Sequence, residues 1–329
     1  MSNPRVLMTE GYVFHTYGPE KYLRQAVASA VSIRRHDRTR PLALYASENQ
    51  LAALEREGLT DLFAVRSVLP EAHRSIVGFK HHLERFMPFD ANLFVDADMV
   101  WCRDPDPLWL KLSSFDFTAT GLERADFWFG GPKGLGIVGD YVLDRRRRTM
   151  ANLGIRYLPR VQAGMIYAST SAAAERVCSK AREFLARRDE THFRSRLAEG
   201  RSEESCEWSL AAAMAYYEMP VFPWFQAQES PQLDFVEGLV EYDLEFRTVR
   251  CRYYTDHTVQ SLRGIPSAGL RRFLTGLVSR LPGRGDHLDV TPYALHFGWL
   301  RHKQPYMEFA NRTWKRLTQR EHIASSALA

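Results

Sequence analysis

A chain of 329 residues, 45% hydrophobic and 25% charged, has enough apolar material for a substantial core, and a net charge of +5 is too small to mark a nucleic-acid binder. Four cysteines (Cys102, Cys178, Cys206, Cys251) are scattered without a CxxC pair, so neither a zinc knuckle nor a disulfide framework is expected. With no apolar run of membrane-spanning length and no signal peptide before the first strand, the expectation is a reduced, cytoplasmic protein.

In chain order, Val6-Leu7-Met8 starts a strand expected to end near Thr9-Glu10-Gly11-Tyr12. Pro19 takes a first helical position after Gly18, and Tyr22, Ala26, Val27, Ala30 and Ile33 recur at helical spacing until His36-Asp37. Leu42 to Tyr45 reads as the next strand. Ser47 and Gln50 form a capping-box pair opening a helix that stops at Gly58. A short strand follows at Phe63-Ala64-Val65, a helix over Phe79 to Met87, and a further apolar run, Leu93-Phe94-Val95. This βαβαβ rhythm argues for an open, mostly parallel sheet, whose ligands bind at the carboxyl ends of the strands. Thr9, Tyr12, Asp96 and Asp98 are expected there.

Asp96 and Asp98 close the Leu93 run. In a strand their spacing puts both carboxylates on one face, and two such charges are costly to enclose unless a cation lies between them. A divalent ion, magnesium or manganese by ligand hardness, answers that demand, although DxD alone is also compatible with a plain strand-to-turn junction.

Beyond the aspartates, Phe115 to Ala119 reads as a strand. Gly134 to Gly139 matches GxGxxG by letter, but Gly130-Gly131-Pro132 stands where a strand should precede it, so a mobile loop near the substrate is expected instead of a dinucleotide site. Gly164, inside the strand Val161 to Tyr167, marks either a ligand approaching the backbone or a bulge. Helices follow over Ala172 to Arg187 and Glu203 to Tyr217, the second opening with Glu203, Glu204 and Glu207. Irregular strands are expected over Leu233 to Tyr254. Near the C-terminus, Tyr293-Ala294-Leu295-His296-Phe297-Gly298 leads to Lys303-Gln304-Pro305-Tyr306. His296 offers a nitrogen ligand to a metal held by Asp96 and Asp98, and Lys303 a mobile charge for a phosphate.

Taken together, these segments resemble the nucleotide-diphospho-sugar transferases of the GT-A fold, most closely the family-eight kind that includes glycogenin and lipopolysaccharide hexosyltransferases. Asp96-Ala97-Asp98 resembles the family's metal motif. Gln162-Ala163-Gly164 resembles its Asn-x-Gly strand, and His296 through Tyr306 its His-x-x-Gly-x-x-Lys-Pro-Trp element with altered spacing. The resemblance implies an α/β architecture with a Rossmann-like, mostly parallel open sheet flanked by helices and a small C-terminal helical extension. Residues 1–255 would form the nucleotide-sugar-binding and catalytic core. Residues 256–329 would belong to the same domain and close the site. Thr9, Tyr12, Lys80, Asp96, Gln162, Gly164, Gly298 and Lys303 would contact the donor, and Asp96, Asp98 and His296 would hold Mn2+ or Mg2+. The implied activity is transfer of a hexose from a UDP-sugar to an acceptor hydroxyl, with retention. Where the family shows an Asp-Gln-Asp-like signature, only Glu204 and Glu207 stand here, and these with Asp98 are the catalytic candidates.

Two other classes remain open at this point. A metal-dependent nucleotidyltransferase would share the sheet and carboxylates, but Thr9 to Tyr17 lacks the lysine or arginine of a triphosphate-gripping loop. A non-enzymatic nucleotide-sugar-binding protein on the same scaffold is disfavoured by the joint presence of Asp96, Asp98, His296 and Lys303. The acceptor is not legible: a glycan, a lipid-linked glycan and another anionic acceptor all fit, nucleic acid less well. Trp128, Phe129, Trp224 and Phe225 suit either a sugar-stacking platform or, more commonly, core packing. Residues 269–284 combine Leu270, Phe273, Leu274, Leu277, Val278 and Leu281 with Arg271, Arg272, Arg280 and Arg284. Such a stretch suits peripheral contact with an anionic membrane, at the inner face for a cytoplasmic protein, or, more commonly, a helix packed on the domain with its arginines outward.

Overall fold

The computed structural model describes residues 9–125, 135–198, 200–226, 229–254, 256, 258–259, 262, 265, 267–298 and 302–326. A seven-stranded sheet forms its centre. The strands are β1 (Glu10–Thr16), β2 (Leu42–Ala46), β3 (Val65–Val68), β4 (Ala91–Val95), β6 (Phe117–Leu122), β7 (Arg160–Ala168) and β8 (Phe222–Pro223) in the order β3-β2-β1-β4-β7-β6-β8. Only β7 runs against its neighbours. Side chains alternate across this sheet, and both faces are apolar because both are covered. Tyr12, Phe14, Leu93 and Val95 pack beneath α1 (Glu20–Arg34), α2 (Glu48–Arg56) and α4 (Asp106–Leu112). Val13 and Phe94 face the opposite layer, built from α3 (Ile76–Lys80), α7 (Ser171–Ala186) and the alanine-rich α8 (Glu207–Tyr216).

A second, three-stranded sheet positions the site. There β13 (Ala294–His296) lies between β5 (Met99–Trp101), to which it is antiparallel, and β9 (Gln232–Asp234), to which it is parallel. Its register pairs His296 with Met99 on one side and with Asp234 on the other. A third sheet joins β10 (Val240–Tyr242), β11 (Val249–Tyr254) and β12 (His287–Val290). Among the described residues the remaining helices are α5 (Leu135–Val142), α6 (Arg145–Leu153), α9 (Ala268–Val278) and α10 (Gln304–Ser326). No described helix is long and apolar enough to cross a membrane.

Four expectations need correction. First, β1 begins at Glu10 instead of ending near Tyr12, so Thr9 lies at the strand's entry, its amide donating to Asp90 at 2.7 Å, far along the strand from the binding edge. Tyr12 is mid-strand and fully buried; its hydroxyl donates to Asp37 and accepts from Trp109, both at 2.9 Å. The residues at the carboxyl edge are Thr16 and Tyr17. Second, 79–87 is no single helix, because α3 ends at Lys80 and a 3-10 turn covers Leu83–Phe86. Third, the loop expected at 134–139 is helical from Leu135 onward, residue 134 lying outside the described residues. Fourth, α8 starts at Glu207, so Glu203 and Glu204 precede the helix and serve other partners.

Asp37 shows why Tyr12 is structural. Its buried carboxylate accepts from the Tyr12 hydroxyl, the Thr39 and Arg40 amides and the Arg40 guanidinium at 2.9–3.0 Å. Removing it would strand several donors. Asp37→Ala is expected to lower unfolding stability by about 3 kcal/mol, read as a lower urea midpoint, while leaving ligand binding at the distant edge intact.

Candidate active site

Asp96 and Asp98 sit on the turn between β4 and β5, and each residue of that turn is tied to a different element. The Asp96 amide donates to Gly164 O on β7 at 2.9 Å. The Ala97 carbonyl accepts from the Tyr306 hydroxyl of α10 at 2.5 Å, and that hydroxyl also reaches Gln25 O on α1 at 2.7 Å. The Asp98 carbonyl accepts from the Phe297 amide, just after β13, at 2.9 Å.

The two half-buried carboxylates face His296. Its Nε2 lies 3.8 Å from Asp96 Oδ2 and 3.5 Å from Asp98 Oδ1. One ligand atom from each of the three residues falls within 4.8 Å of the others. Two lysines flank the group: Lys80 Nζ is 2.7 Å from Asp96 Oδ1 and 2.7 Å from Ala163 O, and Lys303 Nζ is 2.6 Å from Asp98 Oδ2. Behind the imidazole, Nδ1 lies 2.8 Å from Asp234 Oδ1, a carboxylate that also takes a hydrogen bond from Gln162 Nε2. An acidic acceptor at Nδ1 keeps a proton on that nitrogen, so it is Nε2 that would give up its proton to ligate, the usual outer support of a metal-bound histidine. Two glycines border the ring. A Cβ on Gly298 would come 2.6 Å from His296 Cε1, and one on Gly164 would come 2.7 Å from Gln232 Oε1 and 3.4 Å from His296 Nε2.

Charge follows geometry. Enclosure opposes the charged form of Asp98, yet the imidazole and the Lys303 ammonium outweigh it and hold the carboxyl far below its ordinary range. Burial opposes protonation of His296, but Asp234 and Asp98 reverse this and raise the imidazole well above its usual value. Asp98 and His296 thus hold each other in their charged forms. Two hard oxygens and an imidazole nitrogen suit a divalent ion such as manganese or magnesium, and the residues fit one.

No family model matches the chain, and no curated protein matches it. Solved structures do. The galactosyltransferase LgtC, in complex with donor and acceptor sugar analogs, aligns over 92% of this chain and 95% of its own, with a TM-score of 0.50 at 11% identity. The glycosyltransferase GlyE of Streptococcus pneumoniae TIGR4 aligns over 97% of this chain and 64% of its own, at 14% identity and a TM-score of 0.48. The chain has the GT-A glycosyltransferase fold.

Within that fold the expected site residues divide. Asp96, Asp98, His296, Lys80, Lys303, Gln162, Gly164 and Gly298 all converge. Thr9 and Tyr12 do not, for the reason of register given above. Glu204 is buried and fully engaged by Arg188, Ser195 and the Arg196 amide, which makes it the anchor of the 188–196 loop and removes it from the catalytic candidates. Glu207 remains in the cleft at the start of α8. Burial pushes its carboxyl up to about 7, opposed by Lys80 and reinforced by Asp234.

The sequence reading missed Asp234, although an acid closing the short strand Gln232–Asp234 repeats the signal that marked Asp96. It also missed the link across the carboxyl edge of β1, where Glu203 accepts from the Tyr17 hydroxyl at 2.7 Å and the Ile76 amide at 2.6 Å. A cavity of about 160 Å³ opens beside the cluster, lined in part by Gln162, Trp224, Phe225, Asp234, Arg252 and Tyr253. Trp224 Nε1 donates to Gln162 Oε1 at 3.3 Å, and the Arg160 guanidinium lies 5.0 Å from the Trp224 ring. Trp224 and Phe225 thus line a cavity instead of filling the core, and Trp128 and Phe129 lie outside the described residues.

Glu207 gives a stability test with a definite sign. Its folded value is above the unfolded one, so the fold prefers the neutral acid. Its contribution is full in acid and is lost as pH rises through about 7. Glu207→Gln is expected to melt at a higher temperature than the parent at pH 8.5 and at the same temperature at pH 4, measured by calorimetry.

Proposed function

We propose that this protein transfers a hexose from a nucleotide diphosphate sugar, a UDP-sugar, to an acceptor hydroxyl, with retention of configuration. The observation that supports this best is the joint presentation of Asp96, Asp98 and His296 at the carboxyl end of β4, with Lys303 against Asp98. Asp96, Asp98 and His296 would hold Mn2+ or Mg2+, which when bound supplies Lewis-acid stabilisation of the departing diphosphate.

The chain's own groups do the remaining work. Transfer breaks the bond between the anomeric carbon and a diphosphate oxygen, so the sugar gains oxocarbenium character while negative charge builds on the leaving group. Lys303, a flexible cation, shifts from Asp98 toward that charge. Lys80, held at once by the Ala163 carbonyl, orients Asp96. Glu207, the acid left in the cleft, stabilises the sugar cation as a carboxylate, and the acceptor proton passes to the departing phosphate oxygen. The acceptor enters through the cavity beside Asp234, where Trp224 and Phe225 offer apolar faces to a sugar ring and Arg252 a positive charge.

Calorimetry with UDP and MnCl2 tests the centre. The parent is expected to bind UDP only with the metal, and Asp98→Ala to lose that dependence; unchanged affinity in the variant would overturn the proposal. Across a panel of nucleotide sugars, release of UDP together with free or transferred sugar marks a glycosyltransferase. Release of pyrophosphate marks a nucleotidyltransferase, and no turnover a binding protein. With the active donor, kcat/KM is expected to rise through about pH 7 as Glu207 ionises. Glu207→Gln should abolish that limb and lower kcat on the order of 10²-fold or more.

A further inference from the structure

The helix α9 (Ala268–Val278) buries polar side chains and leaves a row of apolar ones in solvent. Its buried positions are Arg271, 1% exposed, and Thr275, 6% exposed. Three of its five large apolar side chains face solvent: Leu270 is 50% exposed, Phe273 66% and Leu277 53%, with Leu281 just beyond the helix at 50%, while Leu274 and Val278 are partly buried. At 3.6 residues per turn these four form one continuous stripe. The expectation of a helix with apolar side chains inward and arginines outward is thus reversed at its central arginine.

Arg271 accounts for the reversal. Its Nε donates to Glu237 O at 2.8 Å and its Nη1 to Ile265 O at 2.7 Å, and Nη2 lies 3.7 Å from Glu237 Oε2. A buried guanidinium with these partners is expensive to expose, so rolling the helix to hide its leucines would leave several groups unpaired. The roll is fixed and the stripe stays outward.

Charge selects the occupant. Residues 267–285 contain four arginines and no acidic residue. Arg271 is consumed internally, and Arg284 donates to Thr258 Oγ1 at 2.7 Å and lies 3.8 Å from Asp256. Arg272 and Arg280 remain exposed beside the stripe. Leucine and phenylalanine on a narrow face, with cations at its edges, match the boundary between acyl chains and anionic headgroups, where arginine stems lie along the apolar layer and their heads meet phosphate. We propose that α9 and the turn through Leu281 form a docking surface for an anionic lipid bilayer. The proposal does not depend on the glycosyl-transfer reading.

Flotation of the full-length protein with phosphatidylcholine vesicles, and with vesicles rich in phosphatidylglycerol, tests it. The parent is expected to float with the anionic vesicles alone and to be released by high salt. Phe273→Glu combined with Leu277→Glu should abolish flotation at an unchanged melting temperature, since both positions are exposed. Arg272→Ala with Arg280→Ala should lower partitioning about thirtyfold, the effect of two basic residues at an anionic surface. Asp98→Ala should float like the parent, which separates this surface from the site. Failure of the parent to float, or equal flotation of the Phe273→Glu/Leu277→Glu variant, overturns the proposal. So does a dimer in sedimentation velocity that this variant dissolves while the parent ignores vesicles, for then the occupant is a second copy.

Discussion

Two carboxylates one residue apart in an enclosed cleft must be neutralised, and most of what surrounds Asp96 and Asp98 answers that demand. Lys80 and Lys303 each take one of them, and His296 is held between both. Asp234 then supports the imidazole and sets which nitrogen faces the acids. Each added partner would be costly alone, since an unpaired buried charge is among the most destabilising groups a fold can carry. The cluster is stable as a whole, and it presents three ligand atoms within 4.8 Å of one another that could hold a metal ion.

The pieces meet because of a small sheet. Placing β13 between β5 and β9 puts His296 opposite Asp234 and one residue from the level of Asp98, so backbone pairing sets the spacing of the ligands. Tyr306 then ties the Ala97 carbonyl to both α1 and α10. Ligand geometry is thereby carried in large part by main-chain hydrogen bonds, which deform little.

Legibility in the sequence followed physical locality. The alternation of strand and helix and the DxD at a strand end were readable, because apolar runs and paired acids leave their mark over a few residues. His296 and Lys303 were readable by their unusual company of glycine, proline and aromatics. Register was not: Thr9 and Tyr12 were placed at the binding edge because nothing local says that β1 extends to Thr16. Glu203, Glu204 and Glu207 looked alike as acids at a helix start, and only tertiary partners separate a loop anchor from a cleft residue. The orientation of α9 was hidden for the same reason, since one arginine's distant carbonyl partners outweigh a stripe of leucines.

The separation of the ligands along the chain has a consequence for biosynthesis. Asp98 leaves the ribosome 205 residues before Lys303, and His296 only slightly earlier than that lysine. Until then the nascent polypeptide holds its paired acids with Lys80 as the sole cation of the finished cluster. A prematurely terminated product lacking the β13 region would retain most of the central sheet but none of the imidazole grip. An incomplete translation product would thus carry the paired acids without the imidazole that faces them in the full chain.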